Sequence, residues 1–381
     1  MSAVIVAGAG PVGLAAALTL ARAEVPVLVL EREPALGTRS RASTIHPATL
    51  DLLDELGVAA GLVARGVVVD RVQWRDLSGA VLAEMRMAGL AGLTAHPFRL
   101  HAEQAALTPL LLGELGAYAH AEVRFGAPVE AVALTGTAVR VRTGGGWERA
   151  RYLIGADGAH STVRSLLGLP FPQSGYPTQA LRVFTGSPLE EMLPGLAPLT
   201  YVRDPAQSCS LLRLPDHWRI ILRLAPREAI PGWVAGLALT DLNILGTHRY
   251  DLASGVLASF RHGRVLFAGD AAHVTSTAGG LNMNAGIHDA VDLGRTLADV
   301  LGGHQPPAAL ESWARRRRAV LVDHVIPASE ARVAGVQDGD AARLPAAMAA
   351  LRAIAADGEA TRAYLAKASM LDTVPLPVRH T

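Results

Sequence analysis

The sequence predicts an α/β fold: a parallel-sheet nucleotide-binding domain built from separated stretches, a mostly β domain inserted into it, and a helical C-terminus. Three observations carry this. Gly-rich segments end apolar runs at AVIVAGAGPVG (Ala3–Gly13), YLIGADGAHSTVR (Tyr152–Arg164) and GRVLFAGDAAHVTSTAGGLNMNAGIHDA (Gly263–Ala290). Between them, 71–98 and 173–262 change to alternating β-like segments with Pro/Gly turns. From Pro307 onward the pattern is mostly helical. The nucleotide-binding domain is therefore expected over 1–70, 99–172 and 263–381, with the substrate domain over 71–98 and 173–262.

Residues 3–7 form a short apolar run that reads as a buried parallel strand. Val12 to Ala23 is Ala/Leu-rich and helical, and Pro11 near its start costs little because that N–H has no helical partner. Val25–Leu30 is a second strand ending at Glu31, which completes a βαβ unit. Pro47–Leu56 reads as a helix closed by Gly57, and Ala102–Leu115 as another. Residues 128–154 read as a β-meander that turns at Gly144–Gly146 and returns to a buried strand at Tyr152–Ile154. In SCSLLRLPDHWRIILRL the Pro215–Asp216 pair signals a hairpin turn. A buried strand follows at Arg264–Ala268, then a helix from about Asn284 to Leu301.

Composition narrows the function. Acidic and basic residues nearly balance, for a net charge of +1, so no nucleic acid or acidic partner is expected. The single cysteine, Cys209, excludes an internal disulfide and a Cys-based metal cluster, and reads as a buried structural residue. His46, His96, His101 and His273 lack metal-site spacing, so no metal is expected. The apolar N-terminus lacks a basic leader and is interrupted by Gly8, Gly10, Pro11 and Gly13 before it could span a bilayer. The expectation is a soluble cytoplasmic protein without membrane contact.

Gly8, Gly10 and Gly13 follow a strand and open a helix, the context that makes GxGxxG a Rossmann fingerprint. The first glycine permits the tight turn and the second lets the backbone approach a pyrophosphate. The third lets helix and strand pack closely. The helix N-terminus faces the phosphate charge. Glu31 is placed to accept hydrogen bonds from a ribose diol and to disfavour a 2′-phosphate, which indicates FAD or NAD. Asp270 follows a buried strand and needs hydrogen-bond partners, as a ligand contact or as an N-cap. Ser161 lies in GAHST rather than GxSxG, which disfavours a hydrolase.

Together the three segments resemble those of the class A FAD-dependent aromatic hydroxylases, the para-hydroxybenzoate hydroxylase-like flavoprotein monooxygenases. Asp157-Gly158, followed by His160 and Arg164, resembles the family's DG motif; Gly269-Asp270 in AGDAAH resembles its GD motif. The likeness covers nearly all of the first domain and thins across 173–262. It implies a Rossmann-like FAD-binding domain with an inserted substrate domain. It implies FAD contacts at Gly8, Gly10, Pro11, Val12, Gly13, Glu31 and Arg32, then at Arg39, Arg41, Ala42, Ser43 and Thr44 in the loop GTRSRASTIHP. Further contacts are implied at Gln104, Asp157 and Asp270, and along Gly280, Leu281, Asn282, Met283 and Asn284. NAD(P)H is implied to bind transiently in a groove near His160 and Arg164, although Arg164 reads equally well as a tie between loop and domain. The chain departs from the family at Thr277, where Pro is usual, and at Asn282, where a second Gly is usual. Asn tolerates positive φ better than most residues, and the Thr277 hydroxyl is placed to alter substrate contacts.

The resemblance also implies a mechanism. NAD(P)H reduces FAD, O2 adds at the flavin 4a carbon, and the distal oxygen of that hydroperoxide passes to a small aromatic or phenolic substrate. Thr277, Arg182, Arg213, Arg219 and Tyr201 are candidates to line the substrate pocket, with plain strand-surface residues as the alternative. No residue is marked as a catalytic base. An FAD-dependent epoxidase, another oxidoreductase of a polycyclic natural product, and a degenerate flavin-binding protein remain alternatives. A halogenase is disfavoured because Lys367 is the only lysine. SMLDTVP near the end suits packing against the FAD domain or a second subunit, so a homodimer stays open.

Overall fold

The computed structural model describes residues 2–38, 42–204, 208–226, 242–337 and 343–373. Its first strand, Val4–Ala7, is buried along its whole length and lies inside a six-stranded sheet. Four consecutive apolar residues with no polar face settle where both faces of a sheet are covered. Val27–Leu30 pairs with this strand in parallel on one side and Tyr152–Gly155 on the other. Ala121–Arg124 and Val265–Phe267 extend the two flanks, again in parallel. The sheet is thus assembled from distant stretches of chain.

The helix Pro11–Arg22 packs on the long helix Leu281–Leu301, which begins slightly before its expected start at Asn284. Gly286 and Gly294 make that crossing close. A Cβ on Gly286 would lie 2.8 Å from Val12 Cγ2, and one on Gly294 2.7 Å from Thr19 Cβ. The meander forms as a separate antiparallel sheet of Ala131–Leu134, Val139–Thr143 and Gly146–Ala150. Thr44–Ile45, Arg99–His101 and Val67–Val69 make a further small sheet. Beyond Pro307 the described chain is helical: Ala308–Val320, Ile326–Gln337, Arg343–Ala356 and Gly358–Ala368. No described helix is long and apolar enough to cross a membrane.

The second domain is one eight-stranded sheet that recruits Arg71–Arg75 and Val81–Arg86 alongside the strands of residues 173–256. Cys209–Arg213 and Trp218–Leu224 form the hairpin signalled by Pro215–Asp216. Period-2 alternation separates its faces. Leu181, Val183, Cys209, Leu211, Ile220 and Leu222 pack together on one side. Arg182, Tyr201, Ser210, Arg219, Ile221 and Arg223 point to the other, toward the nucleotide-binding domain. His273–Val274, immediately after Asp270, joins this sheet as its edge strand and couples the two domains.

Candidate active site

The first turn shows which glycines the protein itself requires. Gly8 adopts φ +104°, and a Cβ there would meet Ala156 O at 2.5 Å. At Gly13 a Cβ would lie 1.9 Å from Gly8 O, so helix and strand could not approach. Gly10 differs: nothing lies within 4 Å of its absent side chain, and the residue lines a cavity. Glu31 is fixed beside it. Its Oε2 accepts from Ala9 N–H at 2.7 Å and its Oε1 from Glu33 N–H at 3.0 Å, leaving lone pairs for a diol.

That cavity, of about 850 Å³, runs from this turn to the arginine-bearing face of the second sheet. Its size falls in the range of small-molecule and cofactor sites. Gly8, Gly10, Pro11, Val12, Glu31, Arg32, Ala42, Ser43, Thr44, Gln104, Asp157 and Asp270 all line it, as do Gly280, Leu281, Asn282 and Met283. Arg39 and Arg41 lie outside the described residues. Gly13 and Asn284 act from behind the wall. Asn284 is fully buried; its Oδ1 accepts from His46 N–H at 2.9 Å, and its Nδ2 donates to Thr44 O at 2.9 Å and Gly280 O at 2.6 Å. It positions the lining instead of contributing to it.

His160 and Arg164, expected along a surface groove for NAD(P)H, lie outside this cavity. His160 is exposed on the surface. Arg164 is buried, donates to Ala271 O at 3.0 Å and Ala159 O at 2.6 Å, and stacks 4.0 Å over Phe171. Of its two readings the geometry matches the tie. Asp157 lines the cavity, yet its carboxylate accepts from Ser161 Oγ at 2.5 Å and Val163 N–H at 3.0 Å, holding the DG loop to the helix Thr162–Leu166.

At the third segment the positive φ values fall on Gly279 (+82°) and Gly280 (+66°), and the helix starts at Leu281. Asn282 is therefore helical, so the expected need for a positive φ there does not arise. Its side chain instead joins a buried relay. Its Nδ2 donates to Asp270 Oδ1 at 2.7 Å, while its Oδ1 lies 3.0 Å from His273 Nδ1. His273 Nε2 reaches Asp289 Oδ2 at 2.7 Å, and Arg317 Nε donates to Asp289 Oδ1 at 2.8 Å. Burial pushes the Asp289 carboxyl up, but Arg317 and His273 outweigh it and hold it at about 2.

At the end formed by the second sheet, Arg182, Tyr201, Arg219 and Thr277 line the cavity. Arg213 does not. It shares the opposite face with Cys209 and Leu211, where its Nε lies 3.7 Å from Glu190. Arg182 Nε donates to Tyr250 Oη at 3.1 Å, and that hydroxyl lies 3.2 Å from Thr277 Oγ1. Arg219, 1% exposed, donates to Ser43 Oγ at 2.7 Å and pairs with Glu103. Sequence reasoning missed Arg99, Arg223 and Tyr250, which also line this end. The alternation Arg219, Ile221, Arg223 was a usable signal for one of them. Of the charged residues lining the cavity, Glu31, Arg32, Glu33, Asp157 and Asp270 come from the nucleotide-binding segments, Arg182, Arg219 and Arg223 from the second sheet, and Arg99 from the small sheet. Cys209 lies on the far face of the sheet, and burial pushes its thiol up to about 12. Among the described residues no group of three or more His, Cys, Asp or Glu is arranged to hold a metal ion.

Residues 1–221 and 232–326 match a family model described as an FAD binding domain. The chain is 30% identical over 359 residues to para-nitrophenol 4-monooxygenase of Pseudomonas sp. strain WBC-3, covering 89% of this chain and 88% of that one. This chain belongs to the para-hydroxybenzoate hydroxylase-like FAD-dependent monooxygenases. The crystal structure of a p-nitrophenol 4-monooxygenase from Pseudomonas putida matches it with a TM-score of 0.91, at 26% identity over 99% of both chains. The ternary complex of aklavinone-11 hydroxylase with FAD and aklavinone matches with a TM-score of 0.76, at 28% identity over 88% of this chain and 69% of that one. The residues present fit FAD. The open space at Gly10, the fixed Glu31 carboxylate and a single cavity reaching the second sheet suit a long dinucleotide.

Proposed function

We propose that this monooxygenase uses NAD(P)H and O2 to hydroxylate a small aromatic or phenolic substrate held between its flavin and the second sheet. The observation that carries this is one continuous cavity joining the fingerprint turn to Arg182, Tyr201, Arg219 and Thr277. When bound, FAD supplies the redox chemistry that takes electrons from the nicotinamide and places an oxygen atom from O2 on an electron-rich ring.

The chain's own residues do the rest. Glu31 holds the ribose diol, and the N-terminus of the helix Pro11–Arg22 neutralises pyrophosphate charge through Gly10. The free N–H groups at the N-terminus of the helix Leu281–Leu301, which lines the same cavity, would stabilise negative charge on the flavin's pyrimidine edge. Asn282 and the relay behind it fix Asp270 for the ribityl portion. Thr277, Tyr250 and Arg182 form a hydrogen-bonded chain suited to orient a substrate hydroxyl. Leu199, Leu212, Ile221 and Val274 supply apolar wall that excludes water.

The test is direct. The purified protein is expected to be yellow and to oxidise NADH or NADPH faster when a suitable phenol is added, with one oxygen atom gained in the product. A colourless protein that takes up no FAD, or oxidation indifferent to every phenol tried, rejects the reading. The likeness to aklavinone-11 hydroxylase keeps a polycyclic substrate, including its epoxidation, as a second reading. Faster turnover of polycyclic compounds than of simple phenols would favour it.

A further inference from the structure

Two arginines meet at the substrate end of the cavity, and no described carboxylate meets them. Arg99, 4% exposed, lines the cavity from the small sheet; Arg332 comes from the helix Ile326–Gln337. Both donate through Nη2 to one neutral acceptor, Ala368 O, at 3.2 Å each. Arg99 Nε, Arg332 Nη1 and the Ser369 hydroxyl are buried without a partner. The Arg332 guanidinium packs against the flavin-side loop, since a Cβ on Gly279 would lie 2.0 Å from its Nη1. Burial first, and the charge of Arg99 after it, push Arg332 below its ordinary range, while the groups that favour its charge are Tyr201 and Tyr364. Burial first, and the same two cations after it, hold neighbouring His46 well below its ordinary value.

Buried charges without counter-charges are costly, and a fold that retains two at one carbonyl is set to receive an anion there. We propose that Arg99, backed by Arg332, binds an anionic oxygen group on the aromatic substrate, a carboxylate or an ionised phenol, and so selects acidic aromatic compounds. An oxyanion arriving at Arg99 gains charge-assisted hydrogen bonds from a guanidinium that is already largely buried. A neutral analogue leaves the guanidinium groups unmatched. The assignment rests on the monooxygenase reading only in placing the substrate within this cavity.

The test is calorimetric titration of the FAD-loaded protein with 4-nitrobenzoate against 4-nitrobenzamide, and with 4-nitrophenol at a pH where it is ionised against 4-nitroanisole. At least one anion is expected to bind roughly tenfold or more tightly than its neutral counterpart, the scale of a hydrogen bond to a charged group. Which pair shows the preference distinguishes carboxylate from phenolate. Arg99→Gln and Arg332→Met are each expected to remove most of that preference and to leave neutral-probe affinity within about twofold. Arg332→Met without ligand is expected to melt at the same temperature as the native protein or higher, because it relieves an unmatched buried cation. Equal affinity within both pairs, or no binding of any of the four probes, overturns the proposal. Saturable chloride binding that neither aromatic anion displaces assigns the site to an inorganic ion and overturns it as well. Retained FAD and NAD(P)H oxidation in those outcomes would leave the monooxygenase reading standing.

Discussion

Gly10 and Gly13 occupy the same turn but answer to different constraints, and substitution separates them. Gly10 has φ −73°, which alanine adopts freely, and open space where its Cβ would be. Gly10→Ala is therefore expected to leave the cofactor-free protein as stable as before, or about 0.4–1 kcal/mol more stable through a less flexible unfolded chain. Its methyl group would instead occupy the space the pyrophosphate needs, so FAD affinity falls. Gly13→Ala forces a Cβ to within 1.9 Å of the Gly8 carbonyl, which is backbone and cannot yield cheaply. It is expected to cost roughly 1–3 kcal/mol or more in folding. Melting curves of the FAD-free variants and FAD titrations check both; native-like FAD affinity in Gly10→Ala would contradict the assignment. Residue spacing made these glycines legible in the sequence, because each role follows from position in the turn. Spacing does not reveal which way a side chain faces. Asn284 and Arg164 follow the motifs yet turn inward, and Arg213 falls one step out of phase with Leu212 on the same strand. Arg99 carried no signal, because an arginine in a short strand ordinarily faces water.

The elements around the third segment are joined through Asp289 rather than through loops alone. Its carboxylate receives Arg317 from the helix Ala308–Val320 and His273 from the edge strand, and His273 in turn contacts Asn282 on the long helix. Every member from His273 to Arg317 is at most 2% exposed, so none can exchange its partner for water. Removing one side of such a pair strands the other charge. Arg317→Met is expected to destabilise the protein by about 3–5 kcal/mol in urea unfolding. It is also expected to weaken FAD retention, since Asp270 is held through the same chain. A loss below about 1 kcal/mol would place the pair among weakly contributing surface contacts. The helix and the strand before it, Val265–Phe267, were legible from an apolar run and glycines. The relay was not, because its partners lie far apart along the chain and only the closed fold brings Arg317 to Asp289.

At the scale of the whole molecule, the parallel sheet was readable because its buried strands are continuous apolar runs. The recruitment of His273–Val274 into the second sheet was not, since two residues carry no periodicity. The closed fold also buries histidines, and acid should expose the cost of that burial. His46, His101 and His288 are 0%, 0% and 1% exposed. Burial dominates in each case, with Arg99 and Arg332 acting on His46, Arg99 and Arg219 on His101, and Arg317 on His288. His101 and His288 are held at about 3, and His46 well below its ordinary value. All three thus stay neutral in the folded protein at pH values where the unfolded chain is protonated. A depressed histidine contributes stability that is fully present above its unfolded value near pH 6.5 and lost as the pH falls below it. Unfolding free energy is therefore expected to fall from about pH 6.5 toward pH 3, with a slope approaching about 1.4 kcal/mol per pH unit for each histidine. His288→Gln retains an amide able to reach Thr49 Oγ1, which His288 Nε2 contacts at 2.8 Å, but removes the titrating group. Urea unfolding across this range should show its acid slope reduced by about a third. An unchanged slope would assign the acid sensitivity to the carboxylates, with the Arg317–Asp289 pair the first to examine below pH 4.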